Sequence, residues 1–354
     1  MNQPKFLYGA AVQGIQGFIF QTNTLREIAG ASELVEQICT NKFAEAIGSN
    51  VDDLKNDTNA IVTAAGNIKY VFKNEEQCKA VVLKFPKTVM KFAPGITISQ
   101  SVVKVDGEIE KKHLDELERR LRTQRNKPLR PFDVGLMAMK RSRKTGLPAV
   151  EKSGNDYFDL GTIKKRKAVE DEKPKKNEPP KYSRLLKALF GKTMVGETTL
   201  DFAKITKTKS ENYSWLAVVH ADGNNMGLAL QKLGDYAKDI HGQSYINVLR
   251  EFSQLLDLST KNAANRAYLE TVRKIELKPH DTIPFRPIVI GGDDLTIVCR
   301  GDIALHFTKL FLEYFQDETK ANFKSIAENV SFLKDGLTAC AGIAYIKESY
   351  PFHY

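Results

Sequence analysis

Two adjacent carboxylates, Asp293 and Asp294, stand between two apolar runs in the second half of the chain. Gly291 and Gly292 precede them, and this order of apolar run, glycine pair and second apolar run predicts a β-hairpin. Two carboxylates about 4 Å apart repel each other by roughly 4 kcal/mol at an effective dielectric of 20. A divalent cation that prefers oxygen ligands, Mg²⁺ or Mn²⁺, would relieve that repulsion. An ordinary surface hairpin is the alternative interpretation.

A third carboxylate, Asp222, ends another apolar run that begins at Trp215 and is typical of a strand. A strand ending in a carboxylate beside an Asp-Asp hairpin supplies the three carboxylates of a two-metal phosphoryl-transfer site. The order of strand, long helix, hairpin, helix and strand is also the palm arrangement of nucleotide polymerases and cyclases. His220, which lies in the middle of this apolar run, is interpreted as a core histidine, with a supporting contact to the site as the alternative.

The first hundred residues carry a weaker copy of the same pattern. Residues 62–72 align without a gap to residues 289–299, and both stretches predict a strand, a turn of small residues and a second strand. Gly66 and Asn67 stand where the second copy has its two carboxylates. The first copy therefore predicts a palm without metal ligands.

The segments that flank the two hairpins match as well. The first strand ends at Gln13 and Gly14, which align with Asp222 and Gly223 of the second copy. Thr24–Glu27 has the spacing of a capping box and predicts the start of a long helix. Each hairpin is followed by an amphipathic helix and a closing strand. We interpret the chain as an internal duplication of one α/β unit, with chance similarity of two hairpins as the alternative.

Composition sets limits on the class of protein. The 354 residues are 42% hydrophobic and 27% charged, which is enough for two domains with separate cores. No apolar run approaches the length of a membrane span, and the four cysteines are far apart without a Cys-x-x-Cys spacing, so a cytoplasmic protein is expected. The net charge of +10 and the pI near 9.2 favour anionic partners such as nucleotides or nucleic acid.

A charged connector is predicted between the two copies. We expect a first palm domain over residues 1–107, a basic connector of helix and loop over 108–210, and a second palm domain over 211–354. Within the connector, basic side chains between Arg119 and Lys144 predict a patch for RNA, with a solvated surface as the alternative. Residues 164–181 are almost free of apolar groups and predict a mobile loop or linker.

Several motifs together resemble one known family. They are Gly14-Ile-Gln-Gly-Phe-Ile-Phe20, Leu25-Arg-Glu-Ile-Ala-Gly-Ala-Ser-Glu-Leu34, Asp222-Gly-Asn-Asn-Met-Gly227, Gly291-Gly-Asp-Asp294, and Ala341-Gly-Ile with Tyr350-Pro-Phe352. Each motif is weak alone, but their combination and order are specific. The chain resembles the large palm-domain subunit of type III CRISPR effector complexes over most of its length.

That resemblance implies an α/β fold with two ferredoxin-like palm domains of the polymerase and nucleotidyl-cyclase type. It implies ATP held between the palms and a cyclic oligoadenylate product that acts as a second messenger in antiviral defence. The implied partners are crRNA or target RNA and the other CRISPR effector subunits, with no membrane. The implied cofactor is Mg²⁺ or Mn²⁺.

The sequence also departs from the family pattern. The N-terminal HD phosphohydrolase domain, the zinc-binding cysteines between the palms and the C-terminal helical domain are not found in this sequence. We therefore expect no cleavage of single-stranded DNA. Either the sequence is a fragment, or the protein is a reduced relative that works outside the usual complex. Asn224 stands where many relatives have a second acid, which makes tight binding of both metals doubtful.

Candidate site residues follow from the motifs and the phosphoryl-transfer chemistry. The expected catalytic and metal-binding residues are Asp222, Asp293 and Asp294, with the carbonyl of Gly223 as a further metal ligand. The expected nucleotide-binding residues are Gly223, Asn225, Gly291 and Gly292 in the second half, and Gln13, Gly14 and Asn67 in the first half. Two other functions remain open, a non-catalytic scaffold that binds nucleotide or RNA and a GGDEF-type enzyme that makes a cyclic dinucleotide from GTP. The second is less favoured because such enzymes carry one palm per chain.

Overall fold

The computed structural model describes residues 3–127, 138–172, 182–191, 194–207, 214–239, 245–327 and 330–350. These residues form two compact units, which in sequence precede and follow the segment 173–181. No helix among the described residues is both long enough and apolar enough to cross a bilayer.

The first unit is built on a four-stranded antiparallel sheet. Its strands are β1 (Lys5–Gln13), β2 (Ala60–Ala64), β3 (Asn67–Phe72) and β4 (Thr97–Val105), with a separate hairpin of β5 (Ala149–Ser153) and β6 (Asp156–Asp159). Its helices are α1 (Ile15–Ile19), α2 (Leu25–Gln37), α3 (Phe43–Ala46), α4 (Val51–Asn56), α5 (Glu75–Phe92), α6 (Lys111–Arg125) and α7 (Leu160–Ala168). A π-helical turn joins α2 to α3, so the long helix predicted to begin near Thr24 continues to Ala46. The sheet order is β2-β3-β1-β4.

Helices cover both faces of this sheet. On one face Tyr8 stacks on Phe43 of α3 at 6.0 Å, and Phe43 also meets Phe85 of α5 edge to face. On the other face Leu117 and Leu121 of α6 lie over Gly9, where a Cβ atom would come within 2.8 Å of the Leu117 side chain. The helix expected in the charged connector therefore packs its apolar side chains into the core of the first unit, while its charged side chains lie outside that core.

The capping box predicted at Thr24 is wrong, although α2 does begin at the following residue. Thr24 makes no side-chain bond to the backbone of its own helix. Glu27 is 1% exposed and binds outside the helix instead, accepting from Lys144 at 3.0 Å and lying 3.3 Å from Arg166. The hydroxyl of Thr22 also donates to Glu27. A buried carboxylate needs such partners, and here they outcompete the cap.

The predicted mobile loop over 164–181 is wrong for its first part, and residues 173–181 lie outside the described residues. Helix α7 packs against α2, and Lys165 within it is buried. The Lys165 ammonium donates to the carbonyl of Phe18 at 2.7 Å and lies 4.0 Å from the centre of the Phe18 ring. Burial lowers the pKa of Lys165 to about 8. Composition misleads here because a lysine can bury its stem and ammonium when a carbonyl and an aromatic face receive the charge.

The second unit repeats the first in its sheet. Its strands are β7 (Trp215–Gly223), β8 (Phe285–Gly291), β9 (Asp294–Arg300) and β10 (Ala339–Lys347). Its helices are α8 (Arg184–Phe190), α9 (Phe202–Thr206), α10 (Met226–Asp239), α11 (Tyr245–Lys274), α12 (Gly301–Asn322) and α13 (Lys324–Ala327). The order is β10-β7-β9-β8 with antiparallel neighbours, which is the order of the first unit read from the other edge. Both units thus have ferredoxin-like strand order, as the duplication predicts.

Strand register corrects one detail of the predicted duplication. Asn67 and Asp294 both begin the second strand of a hairpin, as aligned. However, Asn67 pairs with Ala11 of β1, and by the same register Ala11 is the counterpart of Asp222. Gly14 then corresponds to Asn225, and both adopt positive φ, 65° and 59°, directly before a helix. The predicted equivalence of Gln13-Gly14 with Asp222-Gly223 is therefore displaced by two residues.

Candidate metal centre

Three carboxylates meet at the end of the second sheet. Strand β7 carries Asp222 at its end, and the β8–β9 hairpin carries Asp293 in its turn and Asp294 at the start of β9. One oxygen from each carboxylate lies within 4.8 Å of the other two. The structure thus brings together the three acids that were predicted from separate parts of the sequence.

Burial and mutual repulsion make this cluster costly when it is fully ionised. Burial, and then the negative charge of Asp293, raise the pKa of Asp294 to about 7, and contact with Asp222 adds to the shift. Burial chiefly raises the pKa of Asp293 as well, with a contribution from Asp222. Three oxygen donors that repel one another fit a hard divalent cation such as Mg²⁺ or Mn²⁺. Asp222, Asp293 and Asp294 are the side chains that would hold it.

Gly223 makes the close approach of these residues possible. A Cβ atom at this position would come within 2.7 Å of the Cβ of Asp293 and 3.3 Å of Met226. Any larger side chain would push the hairpin away from the end of β7. The glycine predicted as a metal ligand through its carbonyl is thus also required by packing.

The loop after Gly223 is tied to the last strand of the sheet. The backbone N–H of Asn224 donates to the Thr338 carbonyl at 2.8 Å, and its side-chain amide donates to the Thr338 hydroxyl at 3.0 Å. Asn224 stands where an acid was expected in relatives, and its amide serves this loop contact. Asn225 is exposed and begins the turn into α10 with φ 59°, a conformation that asparagine tolerates.

His220 is not a core residue, contrary to the first interpretation. Side chains of β7 alternate, so Val219 and Ala221 face the core while His220 and Asp222 face outward and are exposed. The Nδ1 atom of His220 lies 2.9 Å from the hydroxyl of Thr296 on the neighbouring strand. His220 therefore shares its sheet face with Asp222. The apolar run that surrounds it in sequence conceals this because the strand is only half buried.

Sequence reasoning missed the residues of α11 that contact the hairpin. Asp257 and Thr260 both bond to the backbone of Gly292 in the turn, at 3.4 Å and 2.5 Å. A Cβ at Gly291 would lie 3.5 Å from the Asp257 carboxylate. These helix residues precede the turn by more than thirty positions, and no local pattern marks them. An i, i+4 pair of Asp257 and Lys261 was the available signal, and such pairs are common on helix surfaces.

The first unit shows a different arrangement at the corresponding end of its sheet. Ala11, at the position of Asp222, is 2% exposed and carries no polar side chain. Asn67 is exposed and donates to the Ala65 carbonyl at 3.2 Å, and Gln13 donates to the Ala11 carbonyl at 3.1 Å. Gly14 is exposed at the start of α1. The three predicted acceptor-site residues thus lie near one end of the first sheet without a carboxylate among them.

Comparisons with known proteins bear on the family of the second unit and on the fold of both units. Residues 215–354 match the family model of the Cas10/Cmr2 second palm domain. A crystal structure of the Csm1–Csm4 cassette in complex with cA4 covers 99% of the chain at 14% identity, with a TM-score of 0.59. The same cassette in complex with AMPPNP is 14% identical with a TM-score of 0.58. A Csm1–Csm4 subcomplex of the type III-A CRISPR-Csm interference complex is 15% identical with a TM-score of 0.60. In all three the chain spans about half, 51%, of the matched chain. A search of curated proteins found no match.

Two units with the same ferredoxin-like strand order, one bearing a three-carboxylate cluster on its hairpin, define a tandem palm protein. Residues 215–354 match the Cas10/Cmr2 second palm domain, and over both units the chain shares the fold of the Csm1–Csm4 structures.

The metal-free cluster should destabilise the fold at high pH. Asp294 has a higher pKa in the folded protein than in the unfolded chain, so stability is lost as the pH rises from about 4 through about 7. We expect Asp294→Asn, without metal, to raise Tm by about 2–4 °C at pH 8, the change that about 1 kcal/mol produces at this domain size, and by less at pH 5. Thermal unfolding in chelator at both pH values measures this. Asp317→Asn, on the exposed side of α12, is the control, and equal gains at pH 5 and pH 8 would contradict the repulsion.

Proposed function

We propose that this protein is a metal-dependent nucleotidyltransferase that converts ATP to cyclic oligoadenylates in CRISPR-type antiviral defence in the cytoplasm. The observation that carries the proposal is the cluster of Asp222, Asp293 and Asp294, whose oxygens lie within 4.8 Å of one another in a Cas10/Cmr2 palm. Crystal structures of the Csm1–Csm4 cassette with cA4 and with AMPPNP support nucleotides as its ligands.

Residues of the second palm have separate roles in binding the cation and the triphosphate. Asp222, Asp293 and the Gly223 carbonyl would hold a cation, and Asp294 would complete its ligands. When bound, a divalent cation lowers the pKa of an attacking ribose hydroxyl and offsets charge on the departing pyrophosphate. The backbone of Gly291 and Gly292 admits the phosphates.

Other residues bind the two nucleotides. Asn225 is a ligand for ribose or phosphate because it is exposed at the start of α10, beside the end of β7. Gln13, Gly14 and Asn67 of the first palm hold the acceptor nucleotide without metal. Their amide groups can form hydrogen bonds with ribose and phosphate oxygens, and none of these three residues offers a charged ligand to a cation.

Incubation with each NTP and Mg²⁺ or Mn²⁺, with products resolved by mass, tests the proposal. We expect ATP to give pyrophosphate and cyclic oligoadenylate, and EDTA to abolish both. Conversion of GTP alone would favour a GGDEF-type activity. Binding of ATP without turnover, in the presence of RNA and partner subunits, would favour a non-catalytic scaffold.

RNA and other effector subunits are the proposed partners. Arg119 and Arg120 of α6 both pair with Glu116, at 2.7 Å and 2.6 Å, and their charge is partly neutralised. Lys144 is engaged by Glu27. Lys140 and Arg143 are exposed, which makes them the better candidates for contacts with RNA phosphates.

If RNA binds this surface, its affinity should fall steeply with salt. About five phosphate contacts to single-stranded RNA give a slope of log affinity against log salt of roughly −3.5. Lys140→Ala together with Arg143→Ala should reduce the magnitude of that slope by about 1.4 and weaken all RNA sequences alike. Fluorescence anisotropy over a salt series measures this, with Arg119→Ala and Arg120→Ala as the comparison expected to matter less. A flat salt dependence would exclude this surface as an RNA contact.

A further inference from the structure

The turn that carries the carboxylates is held by one turn of the longest helix. Gly292 has both its backbone polar groups bonded to α11, a helix of 30 residues. Its N–H donates to Oδ1 of Asp257 at 3.4 Å, and its carbonyl accepts from the hydroxyl of Thr260 at 2.5 Å. The two helix residues are three apart, so they face the turn from one side.

Each of these side chains is itself fixed in place. The other oxygen of Asp257 accepts from Lys261, which pairs with it at 2.5 Å. Thr260 is fully buried, and its hydroxyl also lies 3.0 Å from the Leu256 carbonyl in its own helix. A hydroxyl has one proton, so these two carbonyls share it, and the shorter contact is the one to Gly292.

The bond from Thr260 to the turn is not needed to form the helix α11. Serine and threonine hydroxyls inside helices commonly bond the carbonyl four residues earlier, as Thr271 of α11 does with Ala267 at 2.7 Å. Thr271 is as deeply buried as Thr260, but within the described part of the chain its hydroxyl bonds only the Ala267 carbonyl and not the hairpin. The additional bond from Thr260 to the turn is therefore a specific feature of the site.

The bonds from Asp257 and Thr260 to Gly292 oppose the mutual repulsion of the carboxylates in the turn. Asp293 follows Gly292 directly, and Asp294 comes next, so the conformation of Gly292 sets where both carboxylates point. The like charges of the cluster push the turn away from β7. Small displacements matter in such a site, since a misplacement of about 1 Å can cost about 10²-fold in rate.

We infer that Asp257 and Thr260 are positioning residues that hold the Gly291–Gly292 turn in the geometry needed for cation and triphosphate binding. They act through the backbone of Gly292 and do not themselves contact the nucleotide. The inference rests on the proposed function for its catalytic consequence, whereas its consequence for cation binding can be measured without turnover.

Thr260→Val tests the inference because valine keeps the shape and removes the hydroxyl. We expect it to weaken Mn²⁺ binding about 10-fold, followed by the EPR signal of free Mn²⁺. We expect kcat for pyrophosphate release to fall about 10- to 100-fold with a smaller change in KM. Thr260→Ser, which keeps the hydroxyl, should restore both within about two-fold. Asp257→Asn should weaken Mn²⁺ binding in the same direction.

Thr271→Val is the matched control, because it removes the same kind of bond from the same helix away from the hairpin. A purely structural role predicts that both valine variants lose the same Tm and that both bind Mn²⁺ like the parent, and that result would overturn the inference. If Thr260→Val does not fold, Asp257→Asn and Thr260→Ser provide the comparison. Mn²⁺ binding by the parent without any product from ATP would contradict the proposed function alone.

Discussion

Replacement of both hairpin carboxylates, Asp293→Asn with Asp294→Asn, should abolish conversion of ATP while leaving the fold intact. Preorganised charge at the transferring phosphoryl group is the largest single contribution to this kind of catalysis, and loss of one such group commonly costs about 10²–10³-fold. The double variant removes two of the three acidic side chains of the cluster. Pyrophosphate release and product mass should both fall below detection, and Mn²⁺ should no longer raise Tm.

The corresponding hairpin of the first palm offers a matched control. Asn67 occupies the position of Asp294 at the start of the second hairpin strand. Asn67→Ala should weaken nucleotide binding modestly and leave the metal requirement unchanged, because no carboxylate is lost there. A shift in the Mg²⁺ requirement as large as that of Asp293→Asn would refute the division into metal and acceptor halves. Full activity of the variant with both Asp293→Asn and Asp294→Asn would refute the proposed enzymatic function.

The sequence was sufficient to predict the duplicated α/β fold and the carboxylate cluster. Both follow from local signals, since strand ends and glycine turns place polar groups at sheet edges regardless of distant contacts. Asp222 and the hairpin are seventy residues apart in sequence, yet a palm order of elements brings them together. The alignment of Asn67 with Asp294 is confirmed, because a two-residue turn fixes the pairing register of the two hairpin strands.

Features that depend on long-range packing were not predictable. Gln13 and Gly14 were aligned with the wrong residues because the loop from strand to helix is not marked by any motif, and only pairing with the hairpin reveals Ala11 as the counterpart of Asp222. The bonds from Asp257 and Thr260 to Gly292 form only because α11 packs against the turn in the folded chain. Burial of Lys165 and Glu27 needs partners from distant segments, and composition alone assigns such charges to solvent.

The second large effect is expected at Gly30, where α2 and α7 cross. A Cβ atom there would overlap the carbonyl oxygen of Lys165 and come within 3.1 Å of its Cα. Backbone atoms inside a helix cannot move singly, so Gly30→Ala must displace α7 as a whole. That displacement would break the contacts of Lys165 with Phe18 and of Arg166 with Glu27. Disruption of buried charge contacts costs about 3–5 kcal/mol, which outweighs the gain of about 1 kcal/mol from helix propensity.

We therefore expect Gly30→Ala to lower Tm by roughly 6 °C or more, since about 3 kcal/mol corresponds to that shift at this domain size. Gly17→Ala is the matched control, because Gly17 also lies in a helix of the first unit but has open space around its Cβ position. It should leave Tm unchanged or raise it slightly. Hydrogen exchange should show loss of protection in α7 and α2 for Gly30→Ala while the strands of the second unit stay protected. An unchanged Tm for Gly30→Ala would mean that α7 does not pack against α2 in solution, and residues 164–172 would then be the mobile segment that their composition predicts.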